Sequence, residues 1–408
     1  PSNRLTYTIS RLVPSATSAL SAPSSITFDC RDYLCSGGFT NDAGQEAPRF
    51  MSIYIIVTDE YGNWDYCRTG VMVQNNMGAV ITQCNENRPC EADLLGRAVV
   101  GGSIQTEQGR NIELVDISLE GGNSVVQTSV SGTYEFPAMN TGGSYSVVPQ
   151  KLLAPRNGLS TADILLIQKH ILGSEKLNTP YKMIAADVNK SGEITSADLV
   201  ELRKLVLGKI DNFSRNTSWR FVDKAYQFTT NNPASENFQE VYNISTLTGS
   251  MNNVEFVGVK IGDVNNTSQP SQLYNTEERS NNTYTLGIDE KVIQAGETIE
   301  IPVYTLNSGE LNGMQFTLGL NPELVAFEGY TNGAITLQDD NFTFLRLNEG
   351  ILATSWDNKG AASFVKGQVL FSLKLKALKT IQVSEAINMN SQLVSAEAYS
   401  ENNTKFNL

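Results

Sequence analysis

The residues best suited to a definite chemistry lie in one stretch, Asp187-Val-Asn189-Lys-Ser191-Gly192-Glu193-Ile194-Thr195-Ser-Ala-Asp198. Side-chain oxygens fall at the first, third, fifth, ninth and twelfth positions, and the carbonyl of Glu193 serves the seventh. Gly192 permits the sharp turn, and Ile194 ties the loop to a core. Calcium takes six to eight hard oxygens, and this order wraps a chain around one ion. The spacing therefore predicts calcium held by Asp187, Asn189, Ser191, Glu193, Thr195 and Asp198. Only Asp187 and Asp198 bring ligating carboxylates, and Ser191 stands where Asp or Asn is more usual. A Kd on the order of 10⁻⁴ M is expected, at the extracellular end of the range.

The loop opens the second copy of an internal repeat. Ser160-Thr-Ala-Asp163-Ile-Leu-Leu-Ile-Gln-Lys-His-Ile-Leu-Gly173 aligns with Thr195-Ser-Ala-Asp198-Leu-Val-Glu-Leu-Arg-Lys-Leu-Val-Leu-Gly208 at an offset of 35 residues. Each copy has a Ser/Thr cap, an acid in the first turn and a terminal glycine, so each predicts a helix. The first copy lacks the loop, since Leu152, Ala154 and Arg156 stand where ligands belong. Only Asn157, Gly158, Ser160 and Asp163 could help there. Gly262-Asp263-Val-Asn265-Asn266 reads as the opening of a calcium loop without its second half. Asp163 belongs to a second half without its opening. The two halves could meet in space as a second, split site using Asp163, Asp263 and Asn265, but Asp-Asn turns are common for other reasons and an ordinary turn is the favoured reading.

Other chemistries find less support. The chain has 43 acidic and 30 basic residues in 408, a net charge of −13, which argues against nucleic acid as a partner. No apolar run approaches the ~20 residues of a membrane span. Gly-x-Ser-x-Gly, HExxH and P-loop motifs are missing, so an enzyme is not expected. A glycosidase-like carboxylate pair stays open, because its members can be distant in sequence. The single histidine, His170, falls opposite Leu205 in the repeat and reads as a packing or helix-surface residue. Trp356 beside Asp357 could stack on a sugar, but a core position is the favoured reading. All five cysteines lie in the first 90 residues. Their spacings fit zinc poorly and favour disulfides in an oxidising compartment, Cys30–Cys67 and Cys84–Cys90, with Cys35 left over.

Around these residues the pattern is mainly β and multidomain. In 1–90, Met51-Ser-Ile-Tyr-Ile-Ile-Val-Thr58, a Gly-Asn turn and Val71-Met-Val-Gln74 form a hairpin signal, as at the end of an Ig-like sandwich. Residues 91–151 hold short strands punctuated by paired glycines, a small sandwich. In 152–267 apolar residues recur at helical spacing, followed by an Asn-rich extension anchored by Trp219-Arg-Phe-Val-Asp223. Residues 268–282 have the polarity of a linker. Residues 283–408 alternate again and are the size of a jelly roll. The stretch Pro1-Ser-Asn-Arg-Leu-Thr-Tyr-Thr-Ile-Ser10 lacks the features of a signal peptide, and both ends read as cuts within a longer chain.

The duplicated helix ending Arg203-Lys-Leu-Val-Leu-Gly208 behind the calcium loop resembles a type I dockerin. With Ile184-Ala-Ala-Asp-Val-Asn189, Trp219-Arg-Phe-Val-Asp223 and Val259-Lys-Ile-Gly-Asp-Val-Asn265, it looks like the dockerin-like module of large secreted surface proteins of Bacteroidetes. Residues 283–408, with Gly296-Glu-Thr-Ile-Glu-Ile-Pro-Val303 and Leu311-Asn-Gly-Met-Gln-Phe-Thr-Leu318, resemble a cohesin-like jelly roll. Residues 94–150, with Gly132-Thr-Tyr-Glu-Phe136, resemble a carboxypeptidase-regulatory (transthyretin-like) sandwich. Residues 1–83, with Val57-Thr-Asp-Glu-Tyr-Gly-Asn63, resemble a hyalin-repeat Ig-like domain.

The resemblance implies a secreted cell-surface protein exported by the type IX route. It implies a structural or adhesive segment of an appendage or adhesin, assembled through calcium-stabilised dockerin–cohesin-like contacts. Those contacts would lie within the chain or between subunits. The expected partners are other copies of the chain, other surface proteins or glycans. The alternative is a scaffold-type module that captures a protein or glycan beside an extracellular enzyme.

Overall fold

The computed structural model describes residues 6–10, 24–25, 49–58, 64–73, 97–122, 124–271 and 282–408. The chain divides into two compact units. One comprises residues 1–100, 135–144 and 245–252; the other comprises 101–134, 145–244 and 253–408.

The first unit contains an antiparallel sheet of β1 (Thr6–Ser10), β2 (Arg49–Thr58) and β3 (Trp64–Val73), in that order. Strand alternation buries Tyr54 and Ile56 and places Tyr66 beside them, its ring edge-on to Tyr54 at 5.6 Å. The opposite face of β3 carries Asp65, Cys67 and Thr69, all exposed. Cys67 is a free thiol on that face, so the expected Cys30–Cys67 bond is not formed. Cys30, Cys35, Cys84 and Cys90 lie outside the described residues.

The small sandwich follows, with β4 (Arg97–Gln105), β5 (Asp116–Glu120), β6 (Ser124–Gln127), β7 (Thr133–Asn140) and β8 (Tyr145–Gln150). Three helices come next: α1 (Thr161–Leu172), α2 (Pro180–Ala186) and α3 (Ser196–Val206). The extension adds β9 (Trp219–Asp223), β10 (Tyr242–Ile244) and β11 (Phe256–Lys260). These extension strands do not stay with the helices. The sheets run β10-β8-β5-β6 and β7-β4-β11-β9, and β11 lies parallel to β4 and antiparallel to β9. Every residue of β9 and β11 is buried. Val222 and Val259 turn into the helical core, as expected of strands covered on both faces.

The helices start where their caps dictate. Ser160 and Thr195 accept the second backbone N–H of α1 and α3, while Asp163 and Asp198 accept the N–H of the capping residue. Gly173 ends α1 in the left-handed conformation, and Pro180 opens α2. Ile164, Ile167, Leu202 and Leu205 meet in their core.

The C-terminal segment is a two-sheet sandwich. One sheet orders β12 (Leu286–Gly287), β14 (Thr298–Thr305), β19 (Val369–Ala377) and β16 (Val325–Asn332). The other runs from β17 (Phe342–Thr343) through β18 (Ile351–Phe364) and β15 (Gly309–Leu320) to β22 (Glu397–Tyr399) and β23 (Lys405–Asn407), with β21 (Ile387–Asn390) also on β15. A short ribbon pairs β13 (Val292–Ile293) with β20 (Ile381–Gln382). Met314, Phe316, Leu352, Trp356, Phe371 and Leu373 fill the core between the sheets. Trp356 is 4% exposed and edge-on to Phe364, which removes it as a sugar-stacking platform.

Candidate functional site

The contiguous loop hangs between α2 and α3. Asp187 closes α2 and is buried; its two carboxylate oxygens accept the N–H groups of Ser191 and Gly192, each at 2.8 Å. Lys190 and Gly192 take positive φ to make the turn. Asp198 reaches back from α3 and accepts the N–H of Asn189 at 3.0 Å and of Thr195 at 2.8 Å. The Ser191 hydroxyl stands 3.4 Å from Asp187 Oδ1 and 3.1 Å from the Glu193 carbonyl. Asn189 Oδ1 is buried and has no hydrogen-bond partner. A buried acceptor among converging oxygens wants a cation. Burial, and more weakly Asp187, push the Asp198 carboxyl up. The donor set therefore fits a hard divalent ion, and its low charge suits weak binding. Among the described residues no cluster gathers three or more His, Cys, Asp or Glu side chains.

The structure brings Asp163, Asp263 and Asn265 together. Asp263 Oδ1 accepts the N–H of Thr267 at 3.0 Å and Oδ2 that of Ser268 at 2.9 Å, repeating the pattern at Asp187. Asn266 takes positive φ, as Lys190 does. Asp163 Oδ1 accepts from Asn265 at 3.2 Å and Oδ2 from Ser160 at 3.0 Å, repeating Asp198. The Thr267 hydroxyl donates to the Gly158 carbonyl at 2.9 Å, as Ser191 does to Glu193. Gly158 lies 35 residues before Glu193, so the correspondence extends to the carbonyl. Burial raises the Asp163 carboxyl well above its ordinary range, and Asp263 adds to the rise. Burial raises Asp263 too, against the hydrogen bonds from Ser268 and Thr267. Thr267 was not legible as a donor, because nothing in sequence says that residues 263–268 and 158–163 form one loop.

The helical module also packs on the jelly roll. Thr161, the first residue of α1, donates its N–H to Gln315 Oε1 at 2.7 Å, and its hydroxyl lies 2.7 Å from Ser355 Oγ. Leu165 is buried over Gly313, where an added Cβ would come within 3.0 Å of it. Gln168 donates to Asp357 at 3.1 Å, and Arg203 forms an ion pair with the same carboxylate. Gln168 and Arg203 are equivalents at the 35-residue offset, so one carboxylate engages both copies of the repeat. Lys169 adds bonds to Asn403 and the Glu401 carbonyl. This face explains why β15 and β18 are buried on both sides. His170 takes no part; its Nδ1 accepts the N–H of Leu177 at 3.0 Å, a packing role.

Comparison with known proteins agrees with this division. Residues 284–406 match the family profile of the cohesin domain, and residues 159–207 that of the dockerin type I domain. No curated relative matches the chain. Similar solved structures include a Coh-OlpA-Doc918 complex, a type I cohesin–dockerin complex from Clostridium thermocellum. It is 15% identical, with 31% of this chain and 92% of that chain covered at a TM-score of 0.24. Another is the sixth cohesin of scaffoldin B from Acetivibrio cellulolyticus with a Cel5 dockerin mutant, at 14%, 31%, 92% and 0.25. A third is CaCohA2 from Clostridium acetobutylicum, at 13%, 31%, 92% and 0.24. No helix among the described residues is long and apolar enough to cross a membrane. Residues 159–207 form a dockerin type I domain and residues 284–406 a cohesin domain, both modules of protein–protein assembly.

Proposed function

We propose that this chain is a structural segment of a secreted surface protein, stiffened because its dockerin domain docks on its own cohesin domain. The seating of α1 on β15 and β18, from Thr161 to Gln168, carries this reading. Two calcium ions complete it. One is held by Asp187, Asn189, Ser191, the Glu193 carbonyl, Thr195 and Asp198. The other is held by Asp263, Asn265, Thr267, the Gly158 carbonyl, Ser160 and Asp163. Each ion supplies a divalent charge to which hard oxygens converge, balancing two buried carboxylates. The chain's own residues do the rest: the capping acids fix the helix starts, and the helix fixes the sandwich.

The extracellular setting, export by the type IX route, a place in an adhesin or appendage and the lack of catalysis belong to the same reading. They draw on the resemblance of residues 94–150 and of the dockerin extension, and on the acidic balance. Capture of an outside dockerin on this face is not favoured, because α1 already covers Gly313, Gln315 and Ser355.

Light scattering of the whole chain in calcium and then in chelator tests the docking. A monomer in both is expected. Stability should rise in calcium by about 2.7 kcal/mol per site at a hundredfold excess over Kd. An oligomer that forms only with calcium would place docking between chains and overturn the reading.

A further inference from the structure

The two oxygen-lined loops sit in different surroundings. The contiguous loop faces the extension: Asn216 donates to the Asp187 carbonyl, Asn232 to the Gly192 carbonyl, and Lys190 pairs with Glu240. The helix behind it, α3, reaches the jelly roll through Arg203, about two turns beyond Thr195. Its residues Ser196 and Val200, equivalents of Thr161 and Leu165, are exposed. The split loop stands at the docking face itself. Ser160, a donor of that loop, is the cap of α1, and the next residue is Thr161, which bonds Gln315 and Ser355. Tyr399 of β22 is buried within the field of Asp163, its hydroxyl donating to Glu397.

The two halves of the split loop are also anchored differently. The opening half continues from β11. It is held from the sandwich side by Arg110, which donates to the Asn266 carbonyl at 2.6 Å, and by Lys151, which donates to the Pro270 carbonyl. The closing half is the start of the docking helix. Two buried carboxylates face each other across this joint. Asp163 Oδ1 accepts the N–H groups of Val264 and Asn265, so the start of α1 is tied to the opening half through the carboxylate that a cation there would share.

We propose that the split site, and not the contiguous loop, controls docking: calcium bound by Asp263, Asn265, Thr267, Gly158, Ser160 and Asp163 holds the start of α1 against Gln315 and Ser355. This rests on the reading that both loops take calcium, and the test separates the two claims. The whole chain carries Ala353→Cys as a reporter under the helices, at a buried position that makes none of the docking hydrogen bonds, and labelling of that thiol is followed by peptide mass mapping. Calcium itself is the probe, and its stoichiometry is measured by calorimetry.

The reporter chain is expected to bind two ions and to protect the thiol at position 353 in calcium. Asp263→Asn should bind one ion and label at least tenfold faster. Asp187→Asn should also bind one ion yet label at the parent rate. Should Asp263→Asn lose an ion without faster labelling, control of docking is overturned and the two-site reading stands. Should it bind as many ions as the parent, the split site and its control of docking both fall. Thr267→Val, at an exposed position, is the milder variant. It should move the calcium midpoint of protection by roughly tenfold or more without unfolding the chain, and an unmoved midpoint counts against the proposal.

Discussion

Gly158 is the residue at which the split loop is tightest. Its φ is +78°, and an added Cβ would stand 2.3 Å from Cα of Ser268. Alanine there must leave the left-handed region or push residues 263–268 away. The conformational part costs about 1 kcal/mol and the forced contact adds about twice that by overpacking, so roughly 3 kcal/mol is expected for Gly158→Ala. Gly192 gives the control. Its φ is +85°, but the nearest atom to an added Cβ is 3.5 Å away. Gly192→Ala should cost only the ~1 kcal/mol of conformation. Urea unfolding in chelator compares the two; equal losses would show that the close approach of the halves is not felt. At this scale the contiguous loop was readable because its donors are consecutive in sequence. Asp163, Asp263 and Asn265 were readable as fragments. Thr267 was not, since a threonine in a polar stretch carries no signal until its partner strand is known.

Helices α1 and α3 are near copies, yet they do different work. The apolar period placed both correctly, and their caps placed their starts. What it did not show is which copy docks. Leu165 is 1% exposed over Gly313, whereas its equivalent Val200 is 41% exposed. Leu165→Ala should therefore cost 2–5 kcal/mol as a core truncation, and Val200→Ala less than about 0.5 kcal/mol as a surface change. Thermal unfolding of both variants in calcium distinguishes them; similar small losses would mean that α1 does not seat on the sandwich. The strands hid this face for a physical reason. On β15 and β18 the core side carries Met314, Phe316, Leu352 and Trp356, and the other side Gly313, Gln315, Ala353 and Ser355. Small and polar residues in alternation read as a solvent face. Here they are small because a helix lies on them, and polar because Thr161 needs an acceptor there. The sandwich of residues 97–150 was legible as strands, but its additions β9 and β11 were not, since β11 pairs with β4 from more than a hundred residues away and β9 joins only through β11.

Across the whole second unit, distant stretches meet at two buried ammonium groups. Lys151 donates to the Glu113 carbonyl at 2.5 Å and to the Pro270 carbonyl at 3.3 Å. Lys260 donates to the Pro155 carbonyl at 2.5 Å and to Ser218 at 2.6 Å. Both approach the Trp219 ring, at 5.8 and 5.9 Å from its centroid. Ser268 and Ser271, expected in a linker, are buried beside this cluster. Burial pushes Lys151 down to about 8 and Lys260 down to about 7, against the pull of Glu113 and Asp116 on the first and Asp263 on the second. An unfolded lysine holds its proton to about 10.4. Below pH 7 both states are charged and the folded chain bears the full cost of burial. As pH rises from 8 to 10 the folded lysines release protons that the unfolded chain still holds, so stability increases. The rise is on the order of 1 kcal/mol per lysine per pH unit. Above pH 10 the trend reverses. Burial raises the Tyr134 phenol, which donates to the Val254 carbonyl, so only the unfolded chain ionises there. Urea unfolding from pH 7 to 11 should show a maximum near pH 10. Lys151→Met should halve the slope below it, Lys260 supplying the remainder. A slope that Lys151→Met leaves untouched would mean that this ammonium is solvated, and that the sandwich and the dockerin domain are not joined through it.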